Sequence, residues 1–552
     1  MPRSNLLPKT SGKSFPVDKT SVDEGVIDNL IIGACFAAIA TAKALHKGGA
    51  SFEVLDVAYD LEPEIAKDVE DLSQSAPAGW NEATANRLFP PAEASTRGVK
   101  RRKIYGSDFP YRIPKPFSVR TENCETEFSH GLGGFGNVWG GAMLPYQQSE
   151  LADWPISAAG LAASYRNVLE YVPVSSEPDD LAKTFPLHTD TPIALRHSAQ
   201  TDALLKAFEK RKSALGREGA VAGRARVAVD PSNDFAGCRY CGRCLDGCAY
   251  GSIFSPRRVW STIPGLQNEG DVTRFHRGYY ALEFSEKSSH VEVTAIEVSS
   301  GVARTWRTRR LFLGLGHIGT TRMVARSLKR IRQRIRTLDT QYYFFPLLSY
   351  FGRKSQPVEY TLAEAFLEIT NPNISPHKQH MQVYGLNPIF EKTLKAATGG
   401  FLPISPLLRR FYLFQGYLHS DDSGSVDIEI ESSTDTHDEI VVRGRENSKA
   451  LKIARKVQAL VRDAMLPFGL APPGALSLVP PGRSFHAGGS FPMGGLHPVY
   501  SSDTLGRPSG LQRVHIVDPA SFPSIPSSTI SFSIMANADR IAIRSIAEFQ
   551  KT

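Results

Sequence analysis

Two short apolar runs, Val26 to Ile32 and Ser51 to Leu55, flank an alanine-rich stretch, Phe36 to Leu45, whose pattern is helical and which Gly48-Gly49 ends. This predicts a βαβ unit at the start of the chain. Further on, Tyr279 to Phe284 and Val291 to Val298 alternate apolar and polar residues, with a turn at Ser299-Ser300-Gly301. They predict a meander that feeds a strand over Leu311 to Leu313, followed by a helix over Arg322 to Ser327. Residues 338–482 mix aromatic strand-like runs, such as Tyr342 to Phe345 and Phe411 to Tyr417, with loops.

Glycine marks the junctions. The first strand-to-helix turn reads Gly33-Ala34-Cys35-Phe36-Ala37-Ala38, and Asp56 closes the second strand 23 residues past Gly33. This is a G-x-G-x-x-G with its last two glycines replaced. In the intact motif the first Gly makes the turn, the second admits a pyrophosphate to the helix N-terminus, and the third lets helix and strand touch. Ala38 suits the third place, whereas Cys35 puts a side chain where phosphate approaches. The alternative is an ordinary βαβ edge with a Gly turn. Asp56, at the offset where a carboxylate accepts from a ribose hydroxyl, favours dinucleotide binding. Gly131-Leu132-Gly133-Gly134-Phe135-Gly136-Asn137-Val138-Trp139-Gly140-Gly141 lets main chain run against a flat or charged ligand beside one aromatic wall, and Gly314-Leu315-Gly316 repeats the strand-to-glycine junction.

Composition narrows the class. The 552 residues carry 64 Lys and Arg against 56 Asp and Glu, a net charge of +8, and 41% are hydrophobic, as in ordinary globular proteins. A mildly basic surface gives nucleic-acid binding no support. Uncharged runs at 131–149, 464–482 and 519–538 reach membrane-spanning length, but their Gly, Pro and Ser content predicts no spanning helix. Residues 1–24 lack the apolar core of an export signal, which predicts a mobile tail on a cytoplasmic protein. The basic run Lys100-Arg101-Arg102-Lys103 is expected to be a solvated loop.

The last 70 residues are the most specific. Ser484-Phe485-His486-Ala487-Gly488-Gly489-Ser490-Phe491-Pro492-Met493-Gly494, then Ser502-Asp503-Thr504-Leu505-Gly506-Arg507, then Val514-His515-Ile516-Val517-Asp518-Pro519-Ala520-Ser521-Phe522-Pro523 resemble the C-terminal signature of the glucose–methanol–choline (GMC) flavoprotein oxidoreductases. Ile534 to Ala542 resembles that family's final helix. The resemblance implies an α/β protein, α+β overall: a Rossmann-like FAD-binding domain, discontinuous over 25–150, 231–325 and 483–552, and a substrate domain on an antiparallel sheet over 151–230 and 326–482. It places Gly33, Cys35 and Ala38 at the pyrophosphate turn and Asp56 at the adenosine ribose. Gly133, Gly134, Asn137 and Trp139 fall against the flavin end, Gly314 and Gly316 at the second junction, and Asp518 and Ala520 at the pyrophosphate and ribityl chain.

His486 matches the family's active-site histidine. An alcohol carbon releases hydride readily only as its hydroxyl loses a proton, and an imidazole of ordinary pKa receives that proton at neutral pH. The partner position, His or Asn in the family, falls at Thr529, whose hydroxyl orients by hydrogen bonding but holds no charge.

Four of the six cysteines, Cys238, Cys241, Cys244 and Cys248, have the C-x2-C-x2-C-x3-C spacing of an iron–sulfur loop. A zinc site and a metal-free reduced loop are the alternatives. Cys35 and Cys124 are expected to be packed thiols. The leading function is FAD-dependent oxidation of an alcohol, a sugar or polyol being one candidate, with electrons leaving to an external acceptor. Two others stay open. One is a flavin-binding scaffold whose catalysis has decayed; the other is a membrane-surface enzyme using Arg326, Lys329, Arg330, Arg332, Arg334 and Arg336, residues more simply explained as a solvated helix.

Overall fold

The computed structural model describes residues 20–21, 25–90, 103–234, 236–263, 274–349, 360–385, 410–471 and 476–549. The N-terminal βαβ unit forms as its pattern predicts, with strands Ile27–Ile32 and Glu53–Asp56 and a helix Phe36–Lys47. Asn29 to Ile32 are buried without alternation, the signature of a parallel strand covered on both faces. An eight-stranded sheet grows around it in the order Arg274–Arg277, Glu53–Asp56, Ile27–Ile32, Ala303–Leu313, Val291–Glu297, Tyr279–Glu286, and Val514–Ile516 pairs parallel to Ala303–Leu313.

The expected meander is present and antiparallel. Its last strand, Ala303–Leu313, has two halves. Residues 303–308 pair antiparallel with the meander, and residues 308–313 pair parallel with Ile27–Ile32. Its last four residues are all buried, so one long strand carries the chain from the sheet's edge into its centre. The Ala-rich helix and the C-terminal helix Ser531–Phe549 pack together over this sheet in one continuous core.

The following helix spans Gly316–Ser327, starting six residues before the expected Arg322. The expectation that Arg326 begins a solvated basic helix is corrected here. Arg322 and Arg326 are buried, and both meet the fully buried Asp438, at 3.1 and 2.5 Å. Beyond Ser327 the chain leaves the helix, and Ile335–Asp339 is a strand whose neighbour Arg334 pairs with Glu429 at 3.3 Å. The basic residues therefore lie on different elements rather than on one helix.

A seven-stranded antiparallel sheet carries Leu470–Ala471, Tyr342–Ser349, Phe411–Tyr417, Gln379–Tyr384, Ala365–Ile369 and Ala220–Arg224 in that order, with Ser477–Leu478 also on Tyr342–Ser349. One face packs its apolar residues, among them Tyr343, Phe345, Leu367, Met381 and Phe414, with residues of the helices Ala199–Lys210 and Ser448–Met465. The pattern had not suggested a third, mixed sheet. Its order is Ala487–Gly488, Ile335–Asp339, Ser425–Ser433, Asp438–Arg445, Phe117–Glu122. It draws on segments expected in both domains. Within the expected mobile tail, Thr20–Ser21 pair parallel with Arg304 and Thr305, while the rest of 1–24 and Lys100 to Arg102 lie outside the described residues. Among the described residues no helix is long and apolar enough to cross a membrane.

Removing one partner from a buried ion cluster leaves charge uncompensated in low dielectric. Asp438→Ala, which removes the carboxylate shared by Arg322 and Arg326 and leaves Arg322 without an acidic partner, is expected to destabilise the protein by about 3–5 kcal/mol, seen as a lower denaturant midpoint. A loss below about 1 kcal/mol would mean that water reaches these groups.

Candidate functional site

Three strand ends meet at the C-terminal edge of the parallel sheet, where open α/β sheets place their ligands. Gly33 follows Ile32 with φ +105°, and a Cβ there would overlap the carbonyl oxygen of Gly314, which follows Leu313. Only glycine permits both the positive φ and this approach. Ala38 lies fully buried with its backbone against Gly314, so the third motif position brings helix and strand together. The helices that start at Phe36 and Gly316 are not capped by the side chains of their own N-cap residues, Cys35 and Leu315. Gly316 has φ +78° and open space at its Cβ position, and its amide bonds the Asp518 carboxylate. Helix N-termini at a strand crevice suit a pyrophosphate.

Asp56 is buried at the second strand's end, where its Oδ1 accepts from the Ala58 amide at 2.7 Å. Burial pushes its carboxyl up to about 7, with Ala58 and Arg277 opposing. Cys35 turns its sulfur toward Gly134, where a Cβ would come within 2.9 Å of it, so the thiol is wedged between the turn and the glycine loop. Burial pushes that thiol up to about 11. Gly133, at φ +85°, packs on Arg257. Asn137 staples its own loop, donating to Leu132 O at 2.9 Å and Gly134 O at 2.8 Å. Trp139 gives its indole N–H to Phe254 O at 2.9 Å and meets Phe36 edge-on at 4.7 Å. Asp518 is buried and serves the protein's own turns, accepting from the Ala520 amide at 2.9 Å and from Thr320 Oγ1 at the second helix start.

Backbone bonds tie this crevice to His486. Gly489 N donates to Pro519 O at 2.9 Å and Phe491 N to Ala520 O at 2.8 Å, so residues 487–493 run beside the Asp518 turn. Ala487 and Gly488 pair with Asp339 and Leu338, and the next strand along the chain, Tyr342–Ser349, belongs to the seven-stranded sheet. His486 thus stands where the parallel and antiparallel sheets meet. Its ring stacks on Tyr417 at 4.8 Å and 15°. Burial, with the charge of His380 adding to it, pushes the imidazole down to about 3, so it is neutral throughout the physiological range rather than poised near 6.5. Its Nδ1 is buried without a hydrogen-bond partner among the described residues.

Thr529 is buried, and its hydroxyl accepts from the Leu144 amide at 2.7 Å. Its neighbours are likewise anchored: Ser528 Oγ donates to Glu150 at 2.6 Å and Ser527 Oγ to Lys378 O at 2.7 Å. This bond ties the C-terminal loop to residue 144 and leaves the hydroxyl's own hydrogen to donate.

Sequence reasoning missed the polar face of the antiparallel sheet. Glu368, His380, Gln382, Gln415 and Tyr417 lie on the face opposite the apolar core, and His380 Nδ1 is 2.5 Å from Glu368 Oε1. The alternation His380-Met381-Gln382-Val383-Tyr384 carried this signal, polar residues pointing one way and apolar residues the other.

All four loop cysteines line one small cavity with Tyr250 and Tyr360, and Cys244 and Cys248 also line an adjoining cavity with Gly136, Asn137 and Trp139. Burial pushes Cys238 and Cys241 up to about 12 and Cys244 up to about 11, which keeps these thiols protonated in the absence of metal. Among the described residues, the group of potential ligand atoms lying within 4.8 Å of one another is His377, His419 and Asp421, not the cysteines. Sulfurs around one tetrahedral zinc, with Zn–S near 2.3 Å, would be about 3.8 Å apart. The thiols are spaced more widely than one zinc ion requires. Cys124 lies elsewhere, donating to Val442 O at 3.3 Å.

No protein-family model and no curated protein matches the sequence. The fold is shared with the crystal structure of pyridoxine 4-oxidase from Mesorbium loti, with a TM-score of 0.60 and 12% identity, over 94% of this chain and 99% of that one. At that identity the likeness shows the fold alone, a mixed α/β architecture.

Replacing Thr529 by Val keeps its shape and strands the Leu144 amide in the interior. An unsatisfied buried donor costs about 1–3 kcal/mol. Thermal unfolding of Thr529→Val is expected to show that loss, and Thr529→Ser to recover most of it.

Proposed function

We propose that the chain is an FAD-dependent oxidoreductase that converts an alcohol to a carbonyl. The observation that carries this is the position of His486, a neutral imidazole tied by main-chain bonds to the crevice of the parallel sheet and stacked on the polar face of the antiparallel one. The fit of FAD rests on this chain's own groups: two helix starts at neighbouring strand ends, the Gly33–Gly314 approach, and the buried Asp56 at the ribose offset. Bound there, FAD would accept hydride from the alcohol carbon.

The protein's part is to exclude water, orient the alcohol and take its proton. A neutral His486 has a lone pair available at any physiological pH, so its own titration does not switch the reaction off on mild acidification. Tyr342 and Tyr417 give flat apolar surfaces beside the amides of Gln382 and Gln415. Rings that bind C–H faces next to groups that bind hydroxyls suit a sugar or polyol.

For the four cysteines, an iron–sulfur cluster is the reading that their spacing in sequence and their shared cavity favour, since several irons span a wider set of sulfurs than one zinc. It would pass electrons one at a time to an external acceptor. A flavin-binding scaffold without turnover is the second reading, favoured by the commitment of Thr529 to a backbone amide.

Protein purified from cells is expected to release FAD on denaturation, and its bound flavin to bleach anaerobically with sugars or polyols. Loss of a general base slows the chemical step by roughly 100- to 10,000-fold, so His486→Ala is expected to slow flavin reduction on that scale with little change in substrate affinity. FAD binding without reduction by any alcohol would support the scaffold. Iron and acid-labile sulfide are expected in stoichiometric amounts after anaerobic purification and lost in Cys241→Ser; their absence would return the loop to a metal-free role.

A further inference from the structure

The cavity shared by the four loop cysteines also holds two hydroxyls that the rest of the fold does not use. Tyr360 and Ser252 both line it. Their hydroxyl oxygens are buried, and neither has a hydrogen-bond partner among the described residues. A buried hydroxyl without a partner has lost its hydration with nothing in return, and native structures rarely tolerate that. The third hydroxyl of the cavity makes the contrast, since Tyr250 donates to Ser75 O at 2.8 Å. Tyr360 comes from the residues just before the strand Ala365–Ile369, so the antiparallel sheet delivers it to the cysteine loop. Its ring is part of an apolar cluster with Val227 and Leu362, against which Cys238 and Cys244 pack.

The sulfurs themselves already attract donors. Tyr240, Gly242 and Gly247 take positive φ, which folds the loop tightly on itself. Its own amides then face its sulfurs, that of Tyr240 toward Cys238 and that of Arg243 toward Cys241. Thr361, next to Tyr360, directs both its amide and its hydroxyl at Cys244. Arg196, stacked on the Tyr240 ring at 3.9 Å, brings positive charge to Cys238. A neutral thiol is a weak acceptor, whereas a metal-bound thiolate is a strong one, so donors gathered on three cysteines fit sulfur that carries negative charge. Tyr360 lies within reach of the charge of Cys244 and Cys238, and Tyr250 within reach of that of Cys241 and Cys248, so each ring attends a different pair.

We propose that the Tyr360 and Ser252 hydroxyls donate hydrogen bonds to sulfur of the iron–sulfur cluster, and that together with Thr361 they raise its reduction potential. This rests on the cluster proposed for the four cysteines. One added electron makes the sulfurs more negative and therefore better acceptors. A donor fixed beside them stabilises the reduced form more than the oxidised form, and the potential rises. Burial strengthens the effect, because little water is present to screen the charge. No bond forms or breaks in these residues; they change only how readily the cluster holds one electron.

The test is a redox titration of the anaerobically purified protein, followed by electron paramagnetic resonance, for wild type, Tyr360→Phe, Ser252→Ala and Thr361→Val. Tyr360→Phe keeps the ring and removes only the hydroxyl. It is expected to retain wild-type iron and sulfide content while the ratio of reduced to oxidised cluster at a fixed potential falls about tenfold, a midpoint lower by about 59 mV for one electron. Ser252→Ala and Thr361→Val are expected to shift the midpoint in the same direction. Exchange into deuterium oxide gives an independent readout, because electron–nuclear double resonance of the wild type should show exchangeable deuterons coupled to the cluster, with one fewer in Tyr360→Phe. If Tyr360→Phe does not take up a cluster, Ser252→Ala is measured in its place with the same expectation. Iron-loaded variants with the wild-type midpoint and unchanged deuteron couplings would overturn the role of these hydroxyls while leaving the cluster intact. Wild-type protein without iron and acid-labile sulfide would overturn the cluster, and this inference with it.

Discussion

The close approach of two glycine turns at the centre of the parallel sheet is the constraint on which the rest of the structure depends. Gly33 and Gly314 end neighbouring strands, and neither side chain nor ordinary backbone dihedral is tolerated at Gly33. With that contact made, the helices at Phe36 and Gly316 begin at neighbouring strand ends. Asp518, from a strand paired to the same Ala303–Leu313, bonds Thr320 and fixes where the second helix begins. From Asp518 a run of main-chain hydrogen bonds leads to His486 and onward to the antiparallel sheet. The position of the proposed base thus follows from backbone geometry that starts some distance away.

Burial then sets the chemistry of these groups. Desolvation pushes His486 down to about 3 and Asp56 up to about 7, in both cases toward the neutral form. A neutral histidine accepts a proton but does not keep it comfortably in such surroundings. A protonated Asp56 is a donor as well as an acceptor, so its carboxyl can hydrogen-bond a hydroxyl in either state. The charges that do remain inside, such as Arg322 and Arg326 with Asp438, are compensated at short range.

Much of this was legible in the chain. The βαβ unit, the meander and the strand Phe411–Tyr417 appeared where their patterns placed them, because each is a local arrangement whose period is written over a few residues. The mixed sheet was not legible. It joins Phe117–Glu122 in parallel to Asp438–Arg445, and no local period announces a pairing between such distant segments. The basic stretch from Arg326 misled for a related reason, since composition cannot reveal that Asp438 waits across the fold. Of the site, His486 stood out through its motif, whereas His380 and Glu368 face each other across a hairpin and carry meaning only once register is known.

Thr529 shows how the loop that carries it is held in place. Its hydroxyl is used to hold the C-terminal loop to the Leu144 amide, a buried donor that would otherwise go unsatisfied. The same loop anchors Glu150 through Ser528 and Lys378 through Ser527, so three consecutive side chains help to hold it in position. What they position is the charged group that flanks Glu368. The Thr529 hydroxyl keeps its own hydrogen, so the bonds that fix this loop also hold that donor in one place.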